Sequence, residues 1–149
     1  MFQVVWIVLR QNDRLLLTQR ALNDQCGGTW VLPGGKIDKV DITPVHAAYR
    51  ELKEKINLEG KRFRLLCSTY VVGYNIRIFI CDKWCGELKP VRKDIIGVGW
   101  FTPTEMYSLK DGIAPFLKDS LTYVSYLIQH YDHHPNEWDE QWVKCDDGE

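Results

Sequence analysis

Residues 2–10 run almost without interruption through apolar positions and stop at Arg10. A strand covered on both faces has this pattern, whereas a half-solvated strand alternates. Gln11-Asn12-Asp13 marks a turn, and a second strand is predicted over 14–20. After a loop that contains Gly27-Gly28, Trp30-Val31-Leu32 predicts a short strand, which Pro33-Gly34-Gly35 ends. A mixed-charge loop follows over 36–42. Thr43-Pro44 is a helix start, with Thr as N-cap and Pro at the first helical position. Val45, Ala48, Leu52 and Ile56 carry the helix to about Ile56 as an apolar stripe. Residues 63–72 and 75–83 predict two strands joined at Gly73-Tyr74, and the partial alternation of 75–80 makes the pair antiparallel. A polar loop over 86–93, a short strand over 97–101 and a short helix opened by Thr102-Pro103 come next. A second long helix runs from 115 to about 131, with Phe116, Leu117, Leu121, Val124, Leu127 and Ile128 apolar. Strands interleaved with two long helices predict a layered α/β or α+β domain.

Composition fits that reading. With 149 residues, 45% apolar and 26% charged, the chain is of single-domain size and of globular composition. The formal net charge of −1 argues against sequence-independent nucleic-acid binding. No apolar run approaches the ~20 residues of a membrane helix, and the N-terminus lacks the basic region and cleavage site of a signal peptide. Five cysteines, odd in number and without a C-x-x-C pair, read as reduced thiols in a cytoplasmic protein.

Chemistry concentrates in the first long helix. Glu51 and Glu54 are an i,i+3 pair next to Arg50, so both carboxylates share a face, which is expected to lie opposite the apolar stripe or nearly so. Gly34-Gly35 upstream permits close approach of a backbone carbonyl. Carboxylates with a carbonyl suit a hard divalent cation, although Arg-Glu-Leu-Lys-Glu-Lys is equally ordinary as solvated helix.

The wider spacing resembles the Nudix box, G-x5-E-x7-R-E-U-x-E-E-x-G-U with U a bulky aliphatic residue. Gly35, Arg50, Glu51, Leu52, Glu54 and Leu58 match it, with Pro33-Gly34 before and Thr43-Pro44 at the helix start. Leu17-Thr18-Gln19-Arg20-Ala21, Trp84-Cys85-Gly86-Glu87 and residues 97–102 resemble further strands of MutT-like members, so the likeness spans roughly residues 2–130. The resemblance implies an α/β/α sandwich with a mixed sheet and the box loop and helix at the site. It implies hydrolysis of a nucleoside diphosphate-linked substrate with Mg²⁺ or Mn²⁺. Glu51, Glu54 and the Gly35 carbonyl would be metal ligands, and Arg50 would hold a box glutamate. Arg20 and Lys36 would contact phosphate, Trp30 would line a base pocket, and Asp94 would be an extra ligand or general base.

The chain departs from the pattern at four places. Lys55 stands where the second glutamate of the E-E pair belongs, and an ammonium has no lone pair for a metal. This exchange fits a slow or inactive domain, an altered metal site that recruits Asp94 or Glu87, or an engineered knock-out. The loop before Arg50 is one residue too long, with Asp41 the best match for the loop glutamate and Asp38 near it. Asn57 replaces the glycine at the helix end, a mild exchange because Asn also tolerates a left-handed cap. No asparagine after Trp100 matches the residue with which MutT reads a purine base.

His130, His133, His134 and Cys145 fit no tetrahedral zinc spacing well. Cys81 and Cys85 are expected to pack beneath the hairpin. Residues 1–131 thus read as a Nudix-like domain and 132–149 as a polar acidic tail. The tail, with Trp138 and Trp142, is a candidate for packing on the body or on a second subunit as a homodimer. The leading expectation is a (d)NTP pyrophosphohydrolase yielding a nucleoside monophosphate and pyrophosphate. The alternative is a nucleotide-binding sensor or partner module without catalysis. Neither nucleic acid nor membrane is expected as a partner.

Overall fold

β1 (Phe2–Gln11) is the axis of the fold in the computed structural model, which describes residues 1–109, 112–133 and 143–144. Its residues alternate between two cores. Val4, Trp6 and Val8 join Leu15, Leu17, Ile78 and, from α3 (Pro115–His133), Leu117, Val124 and Ile128. Val5, Ile7 and Leu9 join Leu16, Phe63, Phe79 and, from α1 (Pro44–Ile56), Ala47, Ala48, Leu52 and Ile56. The sheet is therefore covered by a helix on each face, and the unbroken apolar run has its physical reason. Each fully buried Ile or Leu contributes about 1.5–3 kcal/mol relative to exposure.

The sheet is mixed. β1 runs parallel to β6 (Tyr74–Cys85), from Phe2↔Tyr74 to Leu9↔Cys81. β6 forms the expected antiparallel hairpin with β5 (Glu59–Val71). β2 (Arg14–Arg20) pairs with β1 only at the hairpin, Arg10↔Leu15 and Gln11↔Arg14. It then diverges to pair with β3 (Trp30–Val31) and β7 (Ile95–Phe101). This divergence opens the edge of β1, and β4 (Gly34–Lys36) fills it with Trp6↔Gly34, Val5↔Gly35 and Val4↔Lys36. Gly34-Gly35 thus opens a strand where the sequence predicts a stop and a loop. Glycine is required at position 34, because a Cβ there would lie 2.0 Å from the Val5 carbonyl oxygen.

The two capped helices follow the sequence closely. The Thr43 hydroxyl accepts from the His46 amide, with Pro44 next, and α1 ends at Asn57, which is left-handed at φ 65°. Thr102 caps α2 (Pro103–Tyr107) in a reciprocal box with Glu105. β5 and β6 are longer than predicted because polar residues at 59–62 still pair with 83–85. α3 extends to His133, two residues past its predicted end. β8 (Val143–Lys144), within the predicted tail, pairs with β5 at Phe63↔Val143 and Arg62↔Lys144. His134, Trp138, Trp142, Cys145 and the acidic residues of 137–149 lie outside the described residues, whereas Asp132 pairs with Arg10. No helix among the described residues is long and apolar enough to cross a membrane.

Candidate active site

The first turns of α1 are tied to the loop before it by Arg50. Its Nε donates to Asp41 Oδ1 and its Nη2 to Asp41 Oδ2, each at 2.8 Å. Nη2 also donates to the Lys36 carbonyl at 3.1 Å, and Nη1 donates to Glu51 Oε1 at 2.9 Å and Glu54 Oε2 at 3.1 Å. The hydrogen bonds from Arg50 hold the Asp41 carboxyl below the usual carboxylate range, and the same pairing raises the Arg50 guanidinium. Asp41 rather than Asp38 is therefore the loop partner of Arg50, so the extra residue is absorbed without loss of the clamp. Asp38 instead offers its backbone amide to Asp41 Oδ2 at 2.7 Å.

Glu51 does not lie on a solvated face. It is 4% exposed. Four residues after the fully buried Ala47, it sits one turn along the same stripe. Its Oε1 is taken by Arg50, and its Oε2 is buried with no hydrogen bond. Gly35 in β4 packs directly against this carboxylate, and a Cβ there would lie 2.5 Å from Oε2. Lys55, one turn further along α1, closes the group. Its Nζ donates to the Gly34 carbonyl at 2.8 Å and pairs with Glu51 Oε2 at 3.5 Å. The ammonium that interrupts the box is therefore drawn into the site itself.

These groups form one wall of a cleft of about 1010 Å³. Arg20, Gly35, Lys36, Arg50, Glu51, Glu54, Lys55 and Asp94 all line it. Arg20 is braced, with Nε donating to the Gln25 carbonyl at 2.6 Å and an ion pair to Asp24 at 3.3 Å. The Lys36 ammonium rests over the Phe2 ring, 3.9 Å from its centroid. Asp94 is placed by the loop after β6. Lys89 and Val91 donate their amides to the Ile56 and Lys55 carbonyls, capping the end of α1. The loop thereby brings Arg92 within 3.9 Å of Glu54 and 3.4 Å of Asp94.

Two expected residues are elsewhere. Trp30 is not among the residues lining the cleft; its ring packs edge-on against Phe101 at 4.9 Å, within the core under α3. Glu87 is 81% exposed and pairs with Lys89, and it too lies off the cleft. The apolar wall is instead Val4, Trp6, Val71, Val72, Tyr74 and Ile76. Sequence reading had missed it, because Val4 and Trp6 belong to a run that reads wholly as core. Arg92 was also missed, as one cation in a polar loop.

Comparison with known proteins places this architecture. The family model described as NUDIX domain matches residues 1–124. The chain belongs to the Nudix family. An 8-oxo-dGTP diphosphatase of Proteus vulgaris is 33% identical over 87 residues, which span 55% of this chain and 76% of that protein. The crystal structure of a MutT NUDIX hydrolase from Burkholderia pseudomallei superposes with a TM-score of 0.68 at 23% identity, covering 81% of this chain and 95% of that one. The NUDIX domain of Shewanella oneidensis NrtR, solved with ADP ribose, gives a TM-score of 0.67 at 20% identity over 84% and 87% of the two chains. These structures share the fold, and this chain is a MutT-like Nudix hydrolase.

Nudix hydrolases generally use divalent metal ions, and the residues here fit one in part. Glu51 Oε2, which accepts no hydrogen bond, and the cradle at Gly35, which only a glycine leaves open, suit a cation, with Glu54 and Asp94 on the same cleft, but the Lys55 ammonium already faces that oxygen at 3.5 Å. The Gly34 carbonyl is already engaged by Lys55. Among the described residues no group of three or more His, Cys, Asp or Glu side chains gathers as a metal cluster. Of the four residues whose spacing fits zinc poorly, His130 and His133 are described and His134 and Cys145 lie outside the described residues.

Proposed function

We propose that this Nudix hydrolase cleaves a nucleoside triphosphate to a nucleoside monophosphate and pyrophosphate, with Mg²⁺ or Mn²⁺. The observation that carries the reading is the buried Glu51 carboxylate on the wall of the cleft, held by Arg50 on one oxygen and, on the other, accepting no hydrogen bond and facing the Lys55 ammonium at 3.5 Å. A carboxylate this enclosed is costly unless cations face it, and here Arg50 and Lys55 face it from either side. Glu51, Glu54 and the Gly35 carbonyl would hold the ion, with Asp94 on the same cleft as an extra ligand or general base. When bound, the metal neutralises phosphate charge and lowers the pKa of water. The chain's own residues do the rest. Arg50 fixes both glutamates, Arg20 and Lys36 stand on the cleft for phosphate oxygens, and the wall of Trp6, Tyr74 and Ile76 accepts a base. The diphosphatase relative supports an oxidised purine deoxynucleotide as the first substrate to assay.

A second reading is a nucleotide-binding domain that does not turn over, which the capture of the Gly34 carbonyl by Lys55 favours. A panel of 8-oxo-dGTP, dGTP, ADP-ribose and a dinucleoside polyphosphate, assayed with Mg²⁺ and with Mn²⁺, separates the two. Highest kcat/KM on a triphosphate supports the first reading. Binding of nucleotide with turnover of none supports the second.

A further inference from the structure

We infer that the Lys55 ammonium is a tethered cation, which stands in for one divalent ion of the site and itself binds a phosphoryl oxygen of the substrate. The ligand class rests on the nucleotide reading above; the placement of the cation does not. Three observations carry it. First, Lys55 does not turn to solvent as an ordinary helical lysine would: its side chain is 17% exposed, and its Nζ reaches back 21 residues to the Gly34 carbonyl at 2.8 Å. Second, it lies 3.5 Å from Glu51 Oε2, a buried carboxylate oxygen with no hydrogen bond. A backbone carbonyl and a buried carboxylate oxygen facing one cation are the donors a hard metal ion takes. Third, an ammonium has three donors, and these two partners engage at most two of them. Lys55 lines the cleft, so the remaining donor is available to a ligand there.

The charge of the cleft agrees. Its lining carries six Lys and Arg against five Asp and Glu, so it is net positive before any metal arrives. A glutamate at position 55 would reverse that sign and make a polyanion depend on added ions. The chain therefore holds one divalent ion fewer than a cleft with glutamate at this position, and it retains nucleotide affinity when metal is removed.

The test uses the full chain, Lys55→Glu and Lys55→Gln, each first checked by circular dichroism for native fold. Mn²⁺ bound without nucleotide is counted by electron paramagnetic resonance. Binding of a non-hydrolysable α,β-methylene deoxynucleoside triphosphate is measured calorimetrically in EDTA. The expected result is one more Mn²⁺ site in Lys55→Glu than in the unmodified chain. In EDTA, Lys55→Gln loses affinity by roughly tenfold or more, the effect of one charge-assisted hydrogen bond. Equal Mn²⁺ counts, or an EDTA affinity unchanged in Lys55→Gln, overturns the inference. Neither readout requires turnover. A chain that hydrolyses no nucleotide but passes both arms refutes the hydrolase reading alone, and one that hydrolyses but fails either arm refutes the tethered cation alone.

Discussion

Replacing Asp41 with Asn tests the clamp on which the site geometry depends. Asp41 accepts two hydrogen bonds at 2.8 Å from Arg50, with its side chain fully covered. Charge-assisted bonds contribute ~1.5–3 kcal/mol each. Removing one partner of a fully buried pair costs ~3–5 kcal/mol. Two features reduce the figure here. Asn retains one acceptor of the same shape, and Arg50 is 18% exposed and keeps Glu51 and Glu54. The expected loss is about 2 kcal/mol, which lowers the urea midpoint by about 1 M for an m-value of ~2 kcal/mol/M. The pH dependence has a definite sign. The folded Asp41 carboxyl lies below its ordinary 3.8, so its stabilisation is complete above that value and is lost as pH falls through the lower folded one. Urea melts of both proteins from neutral to strongly acid pH should show a gap that closes only in acid. A variant as stable as the parent at neutral pH, or a gap that persists unchanged in acid, would refute the clamp.

Other substitutions probe single contacts. Gly35→Ala drives a methyl group against the Glu51 carboxylate; it should cost ~1–3 kcal/mol in denaturant melts and abolish hydrolysis, and an active, equally stable variant contradicts the cradle. Burial pushes the Cys81 thiol up to about 12, whereas Cys85, expected to pack beneath the hairpin with it, is exposed at the end of β6. Iodoacetamide mapped by mass spectrometry at mildly alkaline pH should label Cys85 well before Cys81 in the native protein, and the reverse order would contradict the packing of the second core. The Lys55 variants supply the test of metal count already described.

Much of this was legible in the sequence because it is local. Thr43-Pro44, the apolar stripe and Asn57 define α1 by chemistry within a few residues, and the structure keeps those bounds. Thr102 and Glu105 define α2 in the same way. The run in β1 declared its two-sided burial. What escaped depends on where distant segments meet. β4 exists because β2 leaves the edge of β1, which no local pattern encodes. Glu51 looked solvated because its neighbours are charged, yet its place one turn after Ala47 puts it under Gly35. Lys55 pairs with Glu51 one turn back, as i,i+4 spacing allows, but its shorter contact is with a carbonyl far back in the chain. Trp30 is expected at a base pocket because it flanks a strand near the site, and its packing against Phe101 decides its position instead.

The proposed hydrolysis of a nucleoside phosphate turns on Glu51. Its most direct test is a ³¹P NMR time course of 8-oxo-dGTP or dGTP with Mg²⁺, comparing the chain with Glu51→Gln. The expected products from the chain are nucleoside monophosphate and pyrophosphate, with a rate lower by about 10²–10⁴ in a folded Glu51→Gln, the scale of losing several kcal/mol of charge stabilisation. Equal rates in the two proteins, or no phosphoanhydride cleavage by the unmodified chain on any substrate of the panel, would contradict it.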